Sequence, residues 1–136
     1  MKTKLFTLFV ALLATTNLWA AFQYGNLYYE TLSSNTAEVV GCYISDPTSI
    51  SIPTLIQYDG KQYTVTSIGE SAFYHCKSLA SVVIPDSVMS IGYHAFFDCS
   101  SLISIVIGNR VMSISAQAIA CCKSLIMLSY NGTKAQ

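Results

Sequence analysis

The chain has 136 residues, which is enough for one domain. Apolar residues make up 52% of it and charged residues only 10%, and this composition excludes an intrinsically disordered chain. Seven basic residues balance seven acidic ones and form no cluster, which excludes an electrostatic nucleic-acid-binding surface.

The N-terminus has the three parts of a secretory signal peptide. Lys2 and Lys4 supply positive charge, residues 5–13 are apolar, and a small residue, Ala20, precedes the predicted cleavage site. The apolar run is shorter than the about 20 residues of a membrane-spanning helix, so no membrane span is predicted. An apolar core helix is the alternative. We expect an exported chain of 116 residues, starting at Ala21, in the periplasm, at the cell surface or outside the cell.

Residues 21–49 contain no repeat and are predicted to form an N-terminal β cap. Two β-prone runs, "FQYGNLYYETL" and "TAEVVGCYI", are separated by Ser33-Ser34-Asn35. A repeat array needs such a cap at its end. In the alternative interpretation the tyrosines of this segment form a ligand platform; they are Tyr24, Tyr28, Tyr29 and Tyr43.

A hairpin is predicted next along the chain. Asp59-Gly60 lies between Tyr58 and Tyr63, and an Asp-Gly pair between β-prone runs favours a two-residue hairpin turn.

The rest of the chain repeats with a period of 23 residues, in units 65–87, 88–110 and 111–133. Apolar residues recur in the same columns of each unit, whereas the residues between them change freely. Examples are Val65, Val88 and Val111; Phe73, Phe96 and Ile119; Leu79, Leu102 and Leu125; and Val82, Ile105 and Leu128. A unit of this kind cannot bury its apolar columns alone, so stacked coils are predicted.

Each unit is predicted to contain a short strand and a turn-like segment. Leu79-x-x-Val82-x-Ile84 is an L-x-x-L-x-L pattern, whose alternation predicts a strand with Ser81 and Val83 facing outward. The segment "ESAFYHC" breaks the alternation and is predicted to form a single helical turn or 3₁₀ piece. The fold class is therefore an α/β solenoid that is mostly β. A globular fold made of unstacked duplicated units is the alternative.

The stretch "VTSIGESAFYHCKSLASVVIPDSVMSIG" resembles the BspA-type leucine-rich repeat family, and the resemblance covers residues 65–128. It implies a short leucine-rich-repeat array preceded by an irregular first coil with a hairpin insertion at residues 50–64, where Ile50-Ser51-Ile52-Pro53 is similar to the strand that ends at Pro85. It also implies an exported or surface protein, in a family in which some members are implicated in adhesion to host proteins or to other cells.

No catalytic or metal site is predicted. His75, Asp98 and Cys121 share one column, but the acid lies between the base and the thiol, whereas a nucleophile must touch its base. A His75–Asp98 surface pair is the preferred interpretation. The sequence has no C-x-x-C pair or glycine-rich phosphate loop, and no cofactor is expected.

Five cysteines, an odd number, remain after the predicted cleavage. Cys76, Cys99 and Cys122 share a core column and are predicted to be buried, reduced hydrophobes. Cys42 and Cys121 lie outside that column and could be reactive.

The favoured function is a protein-interaction module that binds a protein partner through the outward-facing side of its strands. The predicted binding residues are Ser81, Val83, Ser104, Val106, Met127 and Ser129. One alternative is a truncated paralogue or a self-assembling fragment without an independent ligand, associating through its degenerate C-terminal coil. An enzyme is the second alternative.

Overall fold

The computed structural model describes residues 21–42 and 48–131. The predicted signal peptide, Tyr43 and residues 132–136 lie outside the described residues. Within the described ranges every regular element is a strand, and no helix is long and apolar enough to cross a membrane. The strands are β1 (Phe22–Tyr24), β2 (Leu27–Thr31), β3 (Thr36–Cys42), β4 (Ser49–Ser51), β5 (Leu55–Tyr58), β6 (Lys61–Ile68), β7 (Ser81–Val83), β8 (Ser90–Ile91), β9 (Ser104–Gly108), β10 (Ser113–Ile114) and β11 (Met127–Asn131).

The chain winds between two sheets. The front sheet has the strand order β11-β9-β7-β4, and all its pairings are parallel. The back sheet has the order β1-β2-β3-β6-β8-β10, with β5 also paired to β6. Because Ser81 pairs with Ser104 and Ser104 with Met127, successive coils are in register at the 23-residue period. The predicted, mostly-β solenoid is confirmed.

The core is built from the apolar columns of the sequence. Val82 and Ile105 are fully buried, as are Phe73 and Phe96, whose rings stack with centroids 5.0 Å apart. Each fully buried side chain of this size stabilises the fold by roughly 1.5–3 kcal/mol, so stacking supplies the stabilisation that a single coil lacks.

The segment "ESAFYHC" does not form the predicted helical turn. It forms hydrogen-bonded turns in which the amides of Ser71, Phe73 and His75 donate to carbonyls of the next coil, those of Tyr93, Ala95 and Phe97. Left-handed backbone recurs at the same positions in each coil, with φ of 58° at Ser71 and 59° at His75. Pairing with the next coil takes these amides away from a local helix, so stacking overrides the local preference.

Two glycines permit the coils to approach each other closely. A Cβ atom on Gly108 would lie 2.3 Å from the carbonyl oxygen of Pro85, and one on Gly92 would lie 2.7 Å from the amide nitrogen of Glu70. Both contacts are with backbone, which cannot swing aside, so any side chain there would force the coils apart.

The N-terminal strands extend the back sheet. β1, β2 and β3 form an antiparallel meander, and β3 then pairs in parallel with β6. The β5–β6 hairpin turns at Asp59 and Gly60, which have φ of 50° and 72°. This is the type I′ geometry that an Asp-Gly pair favours.

The third coil buries its apolar columns less completely. Leu128 is 49% exposed, whereas Val82 and Ile105 in the same column are fully buried. Tyr130 is 61% exposed in the column of Ile84 and Ile107. The third coil therefore exposes apolar surface on the side that faces away from the second coil.

Candidate interaction surface

The outward-facing residues of the front sheet form one surface, which we call the front face. β7, β9 and β11 place the six predicted residues in two rows: Ser81, Ser104 and Met127 in one, and Val83, Val106 and Ser129 in the other. Their neighbours Val82 and Ile105 point into the core, because successive strand residues face opposite sides. The strand alternation in the sequence thus brings all six residues together.

The front face also includes two residues that the sequence analysis missed. In β4, Ser49 lies beside Ser81 and Ser51 beside Val83, so both rows gain a fourth member. The Ser81 hydroxyl donates a 2.8 Å hydrogen bond to the Ser49 hydroxyl. Ser49 and Ser51 could have been predicted from the similarity of Ile50–Pro53 to the strand that ends at Pro85.

The front face has the chemistry of a contact surface. Its eight residues are serines, valines and a methionine, so none carries an ionisable side chain. Val83 and Met127 are exposed, and the serines offer hydroxyl groups between them. This surface can make van der Waals contacts and neutral hydrogen bonds with a partner, and none of its eight residues is a base that could activate its serine hydroxyls.

The column of His75, Asp98 and Cys121 lies on the turn segments and does not form a triad. His75 Nδ1 is 2.7 Å from Asp98 Oδ2, and both side chains are partly exposed. All three residues have left-handed backbone, with φ between 55° and 64°. The base therefore pairs with the acid, as predicted. Among the described residues no group of three His, Cys, Asp or Glu side chains could hold a metal ion.

A second set of polar and aromatic side chains surrounds this pair. The His94 ring stacks on Tyr93 at 3.8 Å and its Nε2 lies 2.6 Å from Oε1 of Gln117. Tyr74 and Phe97 stack at 5.5 Å with nearly parallel rings. Because these rings cover one another's faces, the cluster mainly stabilises the stacking of the turn segments.

The cysteine column is largely buried and ordered by hydrogen bonds. The Cys99 thiol is fully buried and donates to the Phe73 carbonyl at 3.1 Å, and the Cys122 thiol donates to the Phe96 carbonyl at the same distance. Burial raises the pKa of Cys99 to about 12 and that of Cys76 to about 11. A thiol with a raised pKa is a poor nucleophile at neutral pH, so the column is a structural feature.

None of the five cysteines, all of which lie in the described ranges, forms a disulfide, and their exposures differ. Cys76 and Cys122 are only partly buried, so full burial is confirmed for Cys99 alone in the column. Cys121 is exposed, whereas Cys42 is half-buried and packs against the core.

A cleft of 220 Å³ lies where the front sheet meets the N-terminal strands. Its walls include the β1–β2 turn at Tyr24–Leu27, the edge strand β4, and Pro53. Tyr29 also lines it and is fully buried, so this tyrosine presents no exposed ring, whereas Tyr24 lines the cleft and is 40% exposed. The sequence analysis did not identify this cleft, because its walls are distant along the chain.

The sequence pattern of the BspA type leucine rich repeat region matches residues 46–134, in six copies. No curated protein matches the chain.

Solved structures with similar folds include proteins from Faecalibacterium prausnitzii and from two Bacteroides species. A leucine rich cell surface protein from Faecalibacterium prausnitzii is 29% identical with a TM-score of 0.74, and the match covers 86% of this chain and 33% of that one. A leucine-rich repeat protein from Bacteroides capillosus is 27% identical with a TM-score of 0.62, covering 82% of this chain and 99% of that one. A Bacteroides ovatus leucine-rich repeat protein is 25% identical with a TM-score of 0.56, covering 79% and 40%. The chain thus spans about a third of the length of the first of these proteins.

Proposed function

Because the chain belongs to the BspA-type leucine-rich repeat family, we propose that it is an exported interaction module that binds a protein partner through the front face. The observation that carries the proposal is the pair of four-residue rows on the parallel front sheet, which are uncharged and face solvent. Repeat solenoids commonly bind partners on an extended sheet surface of this kind.

Export and surface adhesion form the finer part of the proposal. The signal-peptide pattern of residues 1–20 supports export, and the similar Faecalibacterium prausnitzii protein is described as a cell surface protein. We propose adhesion to a host protein or to another cell as the biological role. N-terminal sequencing of the secreted chain tests the export step, and we expect it to begin at Ala21.

Catalysis has little support in the described residues. The front face carries no ionisable side chain, the buried Cys99 thiol has a raised pKa, and His75 pairs with the acid Asp98. Binding alone accounts for the surface that the fold presents.

The test is binding of the exported chain to immobilised extracellular host proteins and to whole bacterial cells, measured by biolayer interferometry. Val83→Lys and Val106→Lys place a charge in the middle of the front face and are expected to abolish binding of any partner found. Leu55→Lys is the matched control, because Leu55 and Val83 are 45% and 42% exposed. Equal binding by all three variants would contradict the proposed site.

Self-association through the third coil is the second candidate function. Its specific support is the exposure of core columns at Leu128 and Tyr130, together with Ile126, which is 84% exposed. An apolar surface of this kind beside an edge strand favours pairing with another chain.

Light scattering after size exclusion, under reducing and oxidising conditions, tests this candidate. We expect an oligomer that Leu128→Lys converts to a monomer. Leu32→Lys is the control, since Leu32 and Leu128 are 47% and 49% exposed. A monomer in both conditions would exclude self-association.

A further inference from the structure

We propose that the turn segments of the second and third coils, residues 93–99 and 116–122, bind a neutral pyranose sugar on one face of the Phe97 ring. This site goes beyond the proposed function, because it shares no residue with the front face and takes a different class of ligand. It also brings together polar and aromatic side chains that the front face does not use.

A column of aromatic residues ends at the third coil. Tyr74, Phe97 and Ala120 occupy the same position in successive repeats, and the Tyr74 and Phe97 rings stack 5.5 Å apart with 12° between their planes. The amide of Asp98 donates to the Ala120 carbonyl, so Ala120 lies beside Phe97 on the side opposite Tyr74. The side chain of Ala120 ends at Cβ, whereas that of Phe97 extends outward by a whole ring. The third coil therefore leaves a step beside the Phe97 ring.

The face of Phe97 that points toward the third coil is not covered by another ring. The His94 ring is 4.4 Å from Phe97 and 5.9 Å from Tyr74, between centroids. A ring on the face of Phe97 opposite Tyr74 would lie much farther from Tyr74, so His94 packs at the edge of Phe97. His75 is nearer to Tyr74, at 4.1 Å, than to Phe97, at 6.5 Å, and so lies on the first coil's side. Within the described ranges, this face of Phe97 is left to a ligand.

Gln117 supplies a hydrogen-bond donor beside the step. Its Oε1 is 2.6 Å from Nε2 of His94 and accepts a hydrogen bond from the Tyr93 hydroxyl at 3.3 Å. Both contacts use the carboxamide oxygen, so the NH2 group is the end that can donate to a ligand. The Ala120 amide donates to the Gln117 carbonyl, which places both residues in one hydrogen-bonded turn.

Asp98 supplies a hydrogen-bond acceptor next to the same ring, since it directly follows Phe97 in the chain. Its Oδ2 is 2.7 Å from Nδ1 of His75, and its side chain is 24% exposed. A carboxylate has acceptor sites on both oxygens, so Oδ1 can still accept from a ligand. The step thus combines an aromatic face, an amide donor and a carboxylate acceptor.

These three groups define the chemistry of the ligand. The face of an aromatic ring is negative and attracts the weakly positive C–H groups that a pyranose presents on one side. The hydroxyl groups around a pyranose donate to a carboxylate and accept from an amide, as Asp98 and Gln117 require. An aromatic side chain of a partner would stack on Phe97 but would leave both polar groups unused. The negative charge of Asp98 disfavours acidic sugars, so the ligand is a neutral hexose unit of a glycan.

Saturation-transfer NMR on the exported chain tests the proposal, with the methyl glycosides of glucose, galactose, mannose and N-acetylglucosamine as probes. We expect at least one of them to bind with a dissociation constant of about 1 mM, as a few contacts on an open surface supply, and to shift the side-chain amide signal of Gln117. Ala120→Phe adds a third ring to the column and fills the step. We expect it to weaken binding at least about tenfold while the melting temperature is unchanged or higher. Ala120→Ser keeps a small side chain and is the matched control, expected to bind like the original chain.

Gln117→Asn keeps the test decisive if Ala120→Phe does not fold. Asparagine tolerates the left-handed backbone of Gln117, which has φ of 58°, and only withdraws the amide by one methylene group. We expect this variant to bind the glycoside about fivefold more weakly, through the lost hydrogen bond, with an unchanged melting temperature.

Three outcomes would overturn the inference. The first is that no glycoside binds at about 20 mM, or that Ala120→Phe and Ala120→Ser bind equally. The second is binding of p-cresol without any glycoside, which would assign the step to an aromatic side chain of a partner. The third is loss of sugar binding in Val106→Lys, which would place the sugar on the front face. Retention of sugar binding by Val106→Lys is expected, and it holds whether or not the front face binds a protein.

Discussion

The Cys99 thiol combines full burial with a hydrogen bond to the Phe73 carbonyl, whereas Cys121 is exposed on the outside of the third coil. We predict that iodoacetamide at pH 8 alkylates Cys121 and leaves Cys99 unmodified, since the thiolate is the reactive species and Cys99 is both protonated and shielded. Mass spectrometry of the digested protein measures this, and labelling in guanidinium is the control in which all five cysteines should react. Equal rates at Cys99 and Cys121 in the folded protein would contradict the buried column.

The same burial makes stability depend on alkaline pH. Because the pKa of Cys99 is raised from 9.0 to about 12, the folded state holds this proton more tightly than the unfolded state does. The stabilising contribution is complete below pH 9 and is lost as the pH rises toward 12. We predict that the urea midpoint of the original chain falls more steeply above pH 9 than that of Cys99→Ser, whose hydroxyl does not titrate in this range. If the urea midpoints of the two proteins fell equally with pH, Cys99 would have the same pKa in the folded and unfolded states, which would contradict the prediction.

At the scale of the coil, substitutions in one apolar column measure how much the stacking of coils contributes to the free energy of unfolding. Ile105 is fully buried between two coils, whereas Leu128 in the next coil is 49% exposed. We predict that Ile105→Ala lowers the free energy of unfolding by about 2–5 kcal/mol and that Leu128→Ala lowers it by about 1 kcal/mol. Guanidinium unfolding at low protein concentration measures both values. Equal losses would mean that the third coil is covered in solution.

The elements differ in how far the sequence predicts them. β7 and β9 were predicted because residues such as Val82 and Ile105 alternate with outward-facing serines and valines, a local pattern that burial on one side imposes. The conformation of the turn segments is not predicted correctly, because Ser71 and His75 adopt left-handed backbone to pair with the next coil. That preference belongs to the stack and has only a weak local signature, because His and Asp, which favour left-handed backbone, occupy His75, His94 and Asp98 but not the other three positions.

The sequence also predicts only part of the interaction surface. The six front-face residues follow from strand alternation, and Ser49 and Ser51 follow from the similarity of their segment to a later strand. The cleft depends on the β1–β2 turn lying beside β4, some 25 positions along the chain from Tyr24 to Ser49. Local patterns do not encode such a distant contact.

At the scale of the whole molecule, stability should decrease along the stack toward the third coil. Among the described strands of the front sheet, β9 lies between two neighbours, whereas β11 pairs with one and has exposed core columns. We predict that native-state hydrogen exchange is at least about tenfold faster for amides of β11 than for those of β9, because the third coil buries less apolar surface and opens at a lower free-energy cost. Dilution of the sample is the control. If β11 and β9 were equally protected in a concentrated sample and β11 lost protection on dilution, the third coil would be covered by self-association.

The parallel ladders of both sheets run from coil to coil, so their hydrogen bonds lie along the axis of the stack. A pulling force applied between the two ends of the chain acts along these bonds and loads one coil junction at a time. Since paired residues such as Ser90 and Ser113 are 23 positions apart, each junction that breaks releases one repeat. One extended repeat adds about 80 Å of chain. A chain anchored to a surface at one end and bound at the other would lengthen in steps under flow, and each step would dissipate load before the attachment is reached.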